Sequence, residues 1–253
     1  MRLKRFIQLM LNLRLDAMAL AYQNISKRPE FSERSTESIV QEIVQAQWDD
    51  SQQRRMEREL VKSRIPCSNA HIQAVDYKHS RKLNRDYFNR LTDCAWVESQ
   101  NNVIFTGASH SGKKWLASVL VRQAISFGYS VTCYSITDLL DMLMLHRQQP
   151  LKGPKSALMK FRDRLQKVDV LVLIGLGQNS LTQTQCEDLD IVIRLRQKKG
   201  AMIVTSPFET KHWQQYFGNT PASDAICSNL LNSAHCFEFA LASKKSLERP
   251  DNE

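Results

Sequence analysis

The chain has 253 residues, 42% of them hydrophobic and 24% charged, with a net charge of +9 and a pI near 9.3. That length allows one large domain, or a core domain with a small appendage, with a substantial buried core. No run is long and apolar enough to span a bilayer, and the basic balance favours a polyanionic partner, nucleic acid before membrane, with solubility alone as the plain alternative.

The amino terminus, Met1-Arg2-Leu3-Lys4-Arg5 followed by Phe6 to Leu11, imitates a signal peptide. Gln8, Asn12, Arg14 and Asp16 interrupt its apolar run, however. Leu3, Phe6, Ile7, Met10, Leu13, Ala17 and Leu20 fall at helical spacing and predict one amphipathic helix over 3–24 that packs on protein. Lys27-Arg28-Pro29 breaks it. Ser35 offers a cap for a second helix, which turns strongly polar from Asp49 to Arg64. Its cations Arg54, Arg55, Arg58, Lys62 and Arg64 read equally as contacts to DNA phosphates or as a solvated face with internal pairs to Glu57 and Glu59. Ile65-Pro66 ends this unit. The expected organisation is a helical amino-terminal domain over 1–65, a linker over 66–80, a core over 81–243 and a polar tail over 244–253.

A helix is expected over 82–92. Asn102 to Thr106 is a short apolar run of strand type, and Trp115 to Val121 reads as a helix. Between them lies Gly107-Ala108-Ser109-His110-Ser111-Gly112-Lys113-Lys114, which meets the pattern G-x-x-x-x-G-K of a phosphate-binding loop. The glycines let the backbone approach phosphates, the loop amides and helix N-terminus face an anion, and Lys113 would reach the outer phosphates. The next position normally carries a magnesium-ligating hydroxyl; here it is Lys114, which would repel a cation. The plain alternative is a glycine-bounded strand–helix turn with two solvated lysines.

Further strands are expected at 130–135, 168–174, 201–206 and 235–239. Helices are expected from 136, over 156–166, over 181–199 with a stop at Gly200, over 211–217 and over 222–232. Near-continuous apolar strands alternating with helices imply a doubly wound α/β core whose parallel sheet is covered on both faces, with ligands at the carboxyl ends of the strands. The six histidines show no metal spacing. The six cysteines are scattered without C-x-x-C, as suits reduced thiols in a cytoplasmic protein.

Thr92 to Glu98, Phe105 to Lys113, Phe127-Gly128-Tyr129-Ser130-Val131, Thr137-Asp138-Leu139-Leu140 and Ile203-Val204-Thr205-Ser206 with Trp213 and Phe217-Gly218 resemble, in order and spacing, the IstB/DnaC group of AAA+ ATPases. Leu13 to Ala19 fits the IstB branch. The resemblance implies a P-loop AAA+ core behind a small all-α domain, binding of ATP or ADP, and oligomers of the chain on double-stranded DNA. It also implies work beside a transposase or, on the DnaC branch, a replicative helicase.

Four positions depart from the family pattern. Lys114 replaces the hydroxyl; Ile174-Gly175 stands where an acidic pair is expected; Pro207 replaces a sensor Asn; Ser228-Asn229 replaces an Asp-Arg pair that would supply an arginine finger. Phosphate cradling is kept while metal handling, water activation, sensing and charge stabilisation are lost. This puts Mg2+ in doubt and leads us to expect a pseudo-ATPase with no catalytic residues, the other reading being a working ATPase with an unusual site.

Overall fold

A computed structural model describes residues 2–77, 83–151, 154–218 and 220–239. The chain forms two compact units, Met1–Arg58 and Glu59–Glu253.

In the first unit, α1 (Arg2–Asn12) and α2 (Asp16–Ile25) replace the single helix expected over 3–24. Arg14 takes a left-handed φ of 60°. Its N–H reaches the Leu11 carbonyl at 2.9 Å, and the Leu15 N–H reaches that of Met10 at 2.9 Å. This double bond pattern closes a helix on a left-handed residue, a position glycine usually holds. An arginine there gave no warning, and the apolar spacing runs on through it. Phe6 meets Tyr22 edge-on at 5.3 Å, and Tyr22 meets Phe31 at 6.1 Å. Helix α3 (Thr36–Ser63) starts where expected, with Ser35 Oγ accepting from the Ser38 N–H at 3.2 Å, and runs through the division between the units.

The second unit begins along the sheet. Beyond α3 the chain turns at Arg64 (φ 55°), and residues 67–70 lie on a later helix: the Cys67 N–H donates to Ser118 Oγ at 3.3 Å and Arg122 donates to the Ser68 carbonyl at 2.6 Å. The helix expected over 82–92 is shorter. Lys82 lies outside the described residues; Asn84 caps α4 (Arg85–Asn89), which tightens into a 3-10 turn, Arg90–Asp93, before α5 (Ala95–Glu98).

Five strands follow in alternation with helices. They are β1 (Val103–Gly107), β2 (Val131–Ser135), β3 (Val170–Ile174), β4 (Ala201–Thr205) and β5 (His235–Phe239). Between them run α6 (Lys113–Ser126), α7 (Ile136–Gln148), α8 (Ala157–Lys167), α9 (Gln183–Arg196), α10 (Trp213–Tyr216) and α11 (Pro221–Leu231). All strand pairs are parallel, in the order β2-β3-β4-β1-β5. Parallel strands buried on both faces need continuous apolar sequence, and β3 and β4 are buried throughout. Ile104, Leu171, Leu173, Met202 and Val204 pack one face against Leu139, Leu143, Phe161, Leu189 and Ile226 of the helices. The alternate residues point the other way, as the two-residue period requires, and α6 packs against β1 to β4.

Gly200 is not the helix stop expected. α9 ends at Arg196, and Lys198 (φ 55°) takes the left-handed turn. Among the described residues, no helix is long and apolar enough to cross a membrane.

Candidate phosphate-binding site

Parallel strands deliver their carboxyl ends to one edge of the sheet. In register, Ile174 of β3 lies opposite Thr205 of β4, and Thr205 opposite Phe105 of β1. Three connections therefore leave side by side: Gly107–Gly112 after β1, Gly175–Gln178 after β3, and Ser206-Pro207 after β4. Together they wall a cavity of about 400 Å3. A larger hollow of about 630 Å3, lined by residues of α7, α8 and their connection such as His146, Lys160 and Arg164, includes no part of the glycine-bounded loop.

The loop is shaped by its backbone. Gly107 has φ 123° and Gly112 φ 86°, with His110 at 63° between them. Gly112 is the N-cap of α6, so the unpaired amides of that helix face the cavity's loop wall. Lys113, only 8% exposed, folds back into the loop. Its Nζ donates to the carbonyls of Gly107 (2.6 Å) and Ala108 and to Ser111 Oγ (3.1 Å). Burial, followed by the neighbouring Lys114 charge, pushes the Lys113 pKa down to about 8. Ser109, His110, Ser111, Gly112, Lys113 and Lys114 all line the cavity, joined by Cys67 and half-buried Trp115. Gly107 closes β1 and Ala108 holds Lys113.

The facing wall holds Gly175, Gln178, Thr205, Ser206 and Pro207. Gly175 takes φ 81°, and its N–H donates to Thr205 at both the carbonyl (2.9 Å) and Oγ1 (3.1 Å). Ser206 Oγ accepts from the Phe208 N–H and from Trp213 Nε1–H, each at 3.1 Å. Pro207 adds neither an N–H nor a polar side chain. No carboxylate is among the described residues that line the cavity. Nor do the described residues contain a group of three or more His, Cys, Asp or Glu side chains able to hold a metal ion. Magnesium is held through carboxylates together with substrate phosphates, so this donor set does not fit it.

Asp169, Asp188 and Asp190 are engaged elsewhere. Asp169 precedes β3, at the other end of the strands, and accepts from the N–H (2.8 Å) and Oγ (2.7 Å) of Ser130. Asp188 is buried between Arg147 and Arg162, and Asp190 pairs with Arg194 at 2.9 Å. Asn229, in the position where the family pattern places the finger arginine, lines a polar cleft with Asn102 and Gln197 and accepts from the Gln197 side chain. Ser228 beside it is exposed.

The cations singled out in the second helix divide between the units. In the first, Arg54 pairs with Asp50 (2.9 Å) and Asp16 (3.6 Å), Arg58 donates to the Arg54 carbonyl (3.2 Å), and Arg55 is exposed. In the second, Lys62 pairs with Glu59 (2.7 Å), and the Arg64 guanidinium lies 5.7 Å from the centre of the Tyr134 ring. The structure thus gives Arg54 and Lys62 the internal pairs of a solvated helix, although Arg54 takes aspartates as partners.

Sequence reasoning missed Gln178, Cys67 and Trp115 as lining residues. The run Gly175-Leu176-Gly177-Gln178 directly after an apolar strand was the available signal for the first. Nothing in the sequence brings Cys67 to the loop.

The family model for "IstB-like ATP binding protein" matches residues 8–249. An insertion sequence ATP-binding protein of Sinorhizobium fredii, y4pL, is 26% identical over 93% of both chains. That of IS1162 from Pseudomonas fluorescens is 28% identical over 77% of this chain and 81% of its own. That of IS21 from Pseudomonas aeruginosa is 23% identical over 88% and 82%. Among solved structures, the DnaC helicase loader superposes with a TM-score of 0.52 at 20% identity, covering 68% of this chain and 97% of its own. AMPPCP-bound DnaA from Aquifex aeolicus superposes with 0.56 at 18% identity, covering 70% and 52%. These two likenesses concern the fold, a P-loop AAA+ core. With nearly the whole length matched and the sheet order, loop and cavity in place, the chain belongs to the IstB-like ATP binding protein family.

Proposed function

We propose that this chain is an ATP-binding helper of insertion-sequence transposition that holds a nucleotide on Gly107–Lys114 without hydrolysing it, and that it assembles with copies of itself on double-stranded DNA beside a transposase. The observation that carries the first half is the composition of the cavity: two lysines, a helix N-terminus and no carboxylate among the described lining residues. A polyphosphate finds cationic and amide donors there. Among the described lining residues a water molecule finds no carboxylate to activate it, and a divalent metal no anionic ligand.

The test is binding of labelled ATP alongside steady-state phosphate release. Binding is expected to be saturable and to weaken about tenfold to a hundredfold in Lys113→Ala, the scale of losing hydrogen bonds to a charged group. Phosphate release is expected to stay at the level of that variant. Turnover clearly above that level would overturn the pseudo-ATPase reading.

The DNA half rests on the net charge of +9 and on the exposed Arg55 and Arg58, and the names of the relatives supply the transposition context. Sequence-independent duplex binding should fall steeply with salt. Replacing Arg54, Arg55 and Arg58 by Ala should flatten the slope of log affinity against log salt by about 0.9 for each cation that reaches a phosphate. Arg54, already paired twice, contributes least. An unchanged slope and affinity would remove these residues from the DNA contact.

A further inference from the structure

We infer that Gln178 is the distal-phosphate contact of this cavity, and that the site selects nucleotide free of metal. The inference rests on the nucleotide reading above and assigns it a residue and a ligand form.

The starting point is the missing side chain at 175. Gly175 holds φ 81°, a conformation that strains any L side chain. A Cβ there would lie 2.7 Å from Gln178 Oε1. The carboxamide of Gln178 therefore fills the space into which a residue at 175 would project. The turn that brings it there is fixed at both ends. The Gly175 and Leu176 amides both bond the Thr205 carbonyl at 2.9 Å, and the Gln178 N–H returns to the Gly175 carbonyl at 3.1 Å. Leu176 is fully buried and anchors the turn to the core. Gln178 itself is exposed at the cavity wall, and its side chain makes no hydrogen bond with any described residue.

The chemistry follows from what an amide offers. Its NH2 donates two hydrogen bonds to phosphate oxygens, while its neutral carbonyl is a poor substitute for a carboxylate on a divalent ion. Across the cavity stand Lys113 and Lys114. Metal-free ATP carries about two more negative charges than its magnesium complex, and two ammonium groups and a helix N-terminus complement the more negative form. The loop wall binds the phosphates common to ATP and ADP. Gln178, on the facing wall, is placed for the terminal one.

The experiment titrates the full chain with labelled ATP and labelled ADP, in EDTA and in excess Mg2+, for the wild type, Gln178→Ala and Gln178→Glu. In EDTA the wild type should bind ATP about tenfold or more tightly than ADP, and Mg2+ should weaken ATP binding. Gln178→Ala should erase the ATP preference and leave ADP affinity unchanged, which also reports an intact loop. Gln178→Glu should weaken ATP in EDTA by more than tenfold, with Mg2+ restoring part of the loss. Equal ATP binding by the wild type and Gln178→Ala, or a strict Mg2+ requirement in the wild type, overturns the assignment. Failure of the wild type to bind either nucleotide overturns the nucleotide reading itself, and the assignment with it.

Discussion

Replacing Arg196 by methionine should destabilise the second unit by more than about 2 kcal/mol, since each buried acceptor left unsatisfied costs about 1–3 kcal/mol, read as a lowered urea midpoint with an unchanged slope. Arg196 is 1% exposed. Its guanidinium donates to the carbonyls of Leu165, Val168 (3.0 Å), Asp169 (3.1 Å) and Ala201 (2.8 Å). Leu165 lies in the last turn of α8 and Val168 just beyond it, where helix carbonyls lack intrahelical partners. Asp169 and Ala201 stand at the entrances of β3 and β4. One side chain thus joins the end of a helix to the starts of two central strands. Burial pulls its pKa down to about 10, against a smaller opposing effect of Asp169, so it stays charged at neutral pH. Where a buried ion pair is replaced whole by apolar groups, stability is often kept. Here the acceptors are backbone and remain: the Asp169 carbonyl keeps the Ala201 N–H at 3.0 Å, but methionine strands those of Leu165 and Val168 at the end of α8. Gly200 confirms how tightly the group is held: a Cβ there would meet Arg196 Nη2 at 2.5 Å and the Asp169 carbonyl at 2.8 Å. Gly200→Ala should share part of the loss. A change below 1 kcal/mol in Arg196→Met would show that water re-satisfies these carbonyls and would remove the pinning role.

The core was legible because its signals are local and agree. β3 and β4 are uninterrupted apolar runs, and helix starts at Ser135, Ser156, Thr182 and Thr220 all carry side-chain caps. A parallel sheet leaves such sequences little alternative. The misreadings have a common cause. Arg14 and Lys198 adopt left-handed turns that glycine usually fills, so the helix break at Arg14 left no mark and Gly200 was credited with the work of Lys198. Glycine at 200 answers instead to a side chain four residues back along the chain. The glycine-bounded turn from β1 into α6 was legible from Gly107, Gly112 and Lys113 alone. Its facing wall was not, because Gly175, Gln178, Thr205 and Pro207 meet the loop through the order of strands in the sheet, which no sequence spacing records. The apolar pair Ile174-Gly175 at the end of β3 was visible in the sequence; that the Gln178 amide lies where a side chain at 175 would project was not.

Gly107→Ala should combine the two kinds of loss, destabilising the second unit by more than about 3 kcal/mol and weakening nucleotide binding more than Lys113→Ala does. Gly107 sits at φ 123°, where an L side chain already costs about 1–3 kcal/mol. Its added Cβ would stand 2.1 Å from the Phe239 carbonyl oxygen and 2.9 Å from its carbon. Those atoms are backbone of the neighbouring strand, paired in register with Gly107, so they cannot rotate aside as a long side chain would. Relief requires β5 to move off β1 at this end, which also disturbs Phe105, stacked on Phe237 at 5.2 Å and on Phe239 at 6.2 Å. Gly107's own carbonyl accepts from Lys113 Nζ at 2.6 Å, so the displaced backbone carries the lysine anchor with it. Gly128 separates the steric effect from backbone strain. It has φ 89°, with nothing within 4 Å of an added Cβ, and Gly128→Ala should cost only about 1–2 kcal/mol and leave nucleotide binding intact. If the two alanine variants lose equal stability, the contact with Phe239 does not decide the residue at 107, and the first glycine of the loop serves its backbone angle alone.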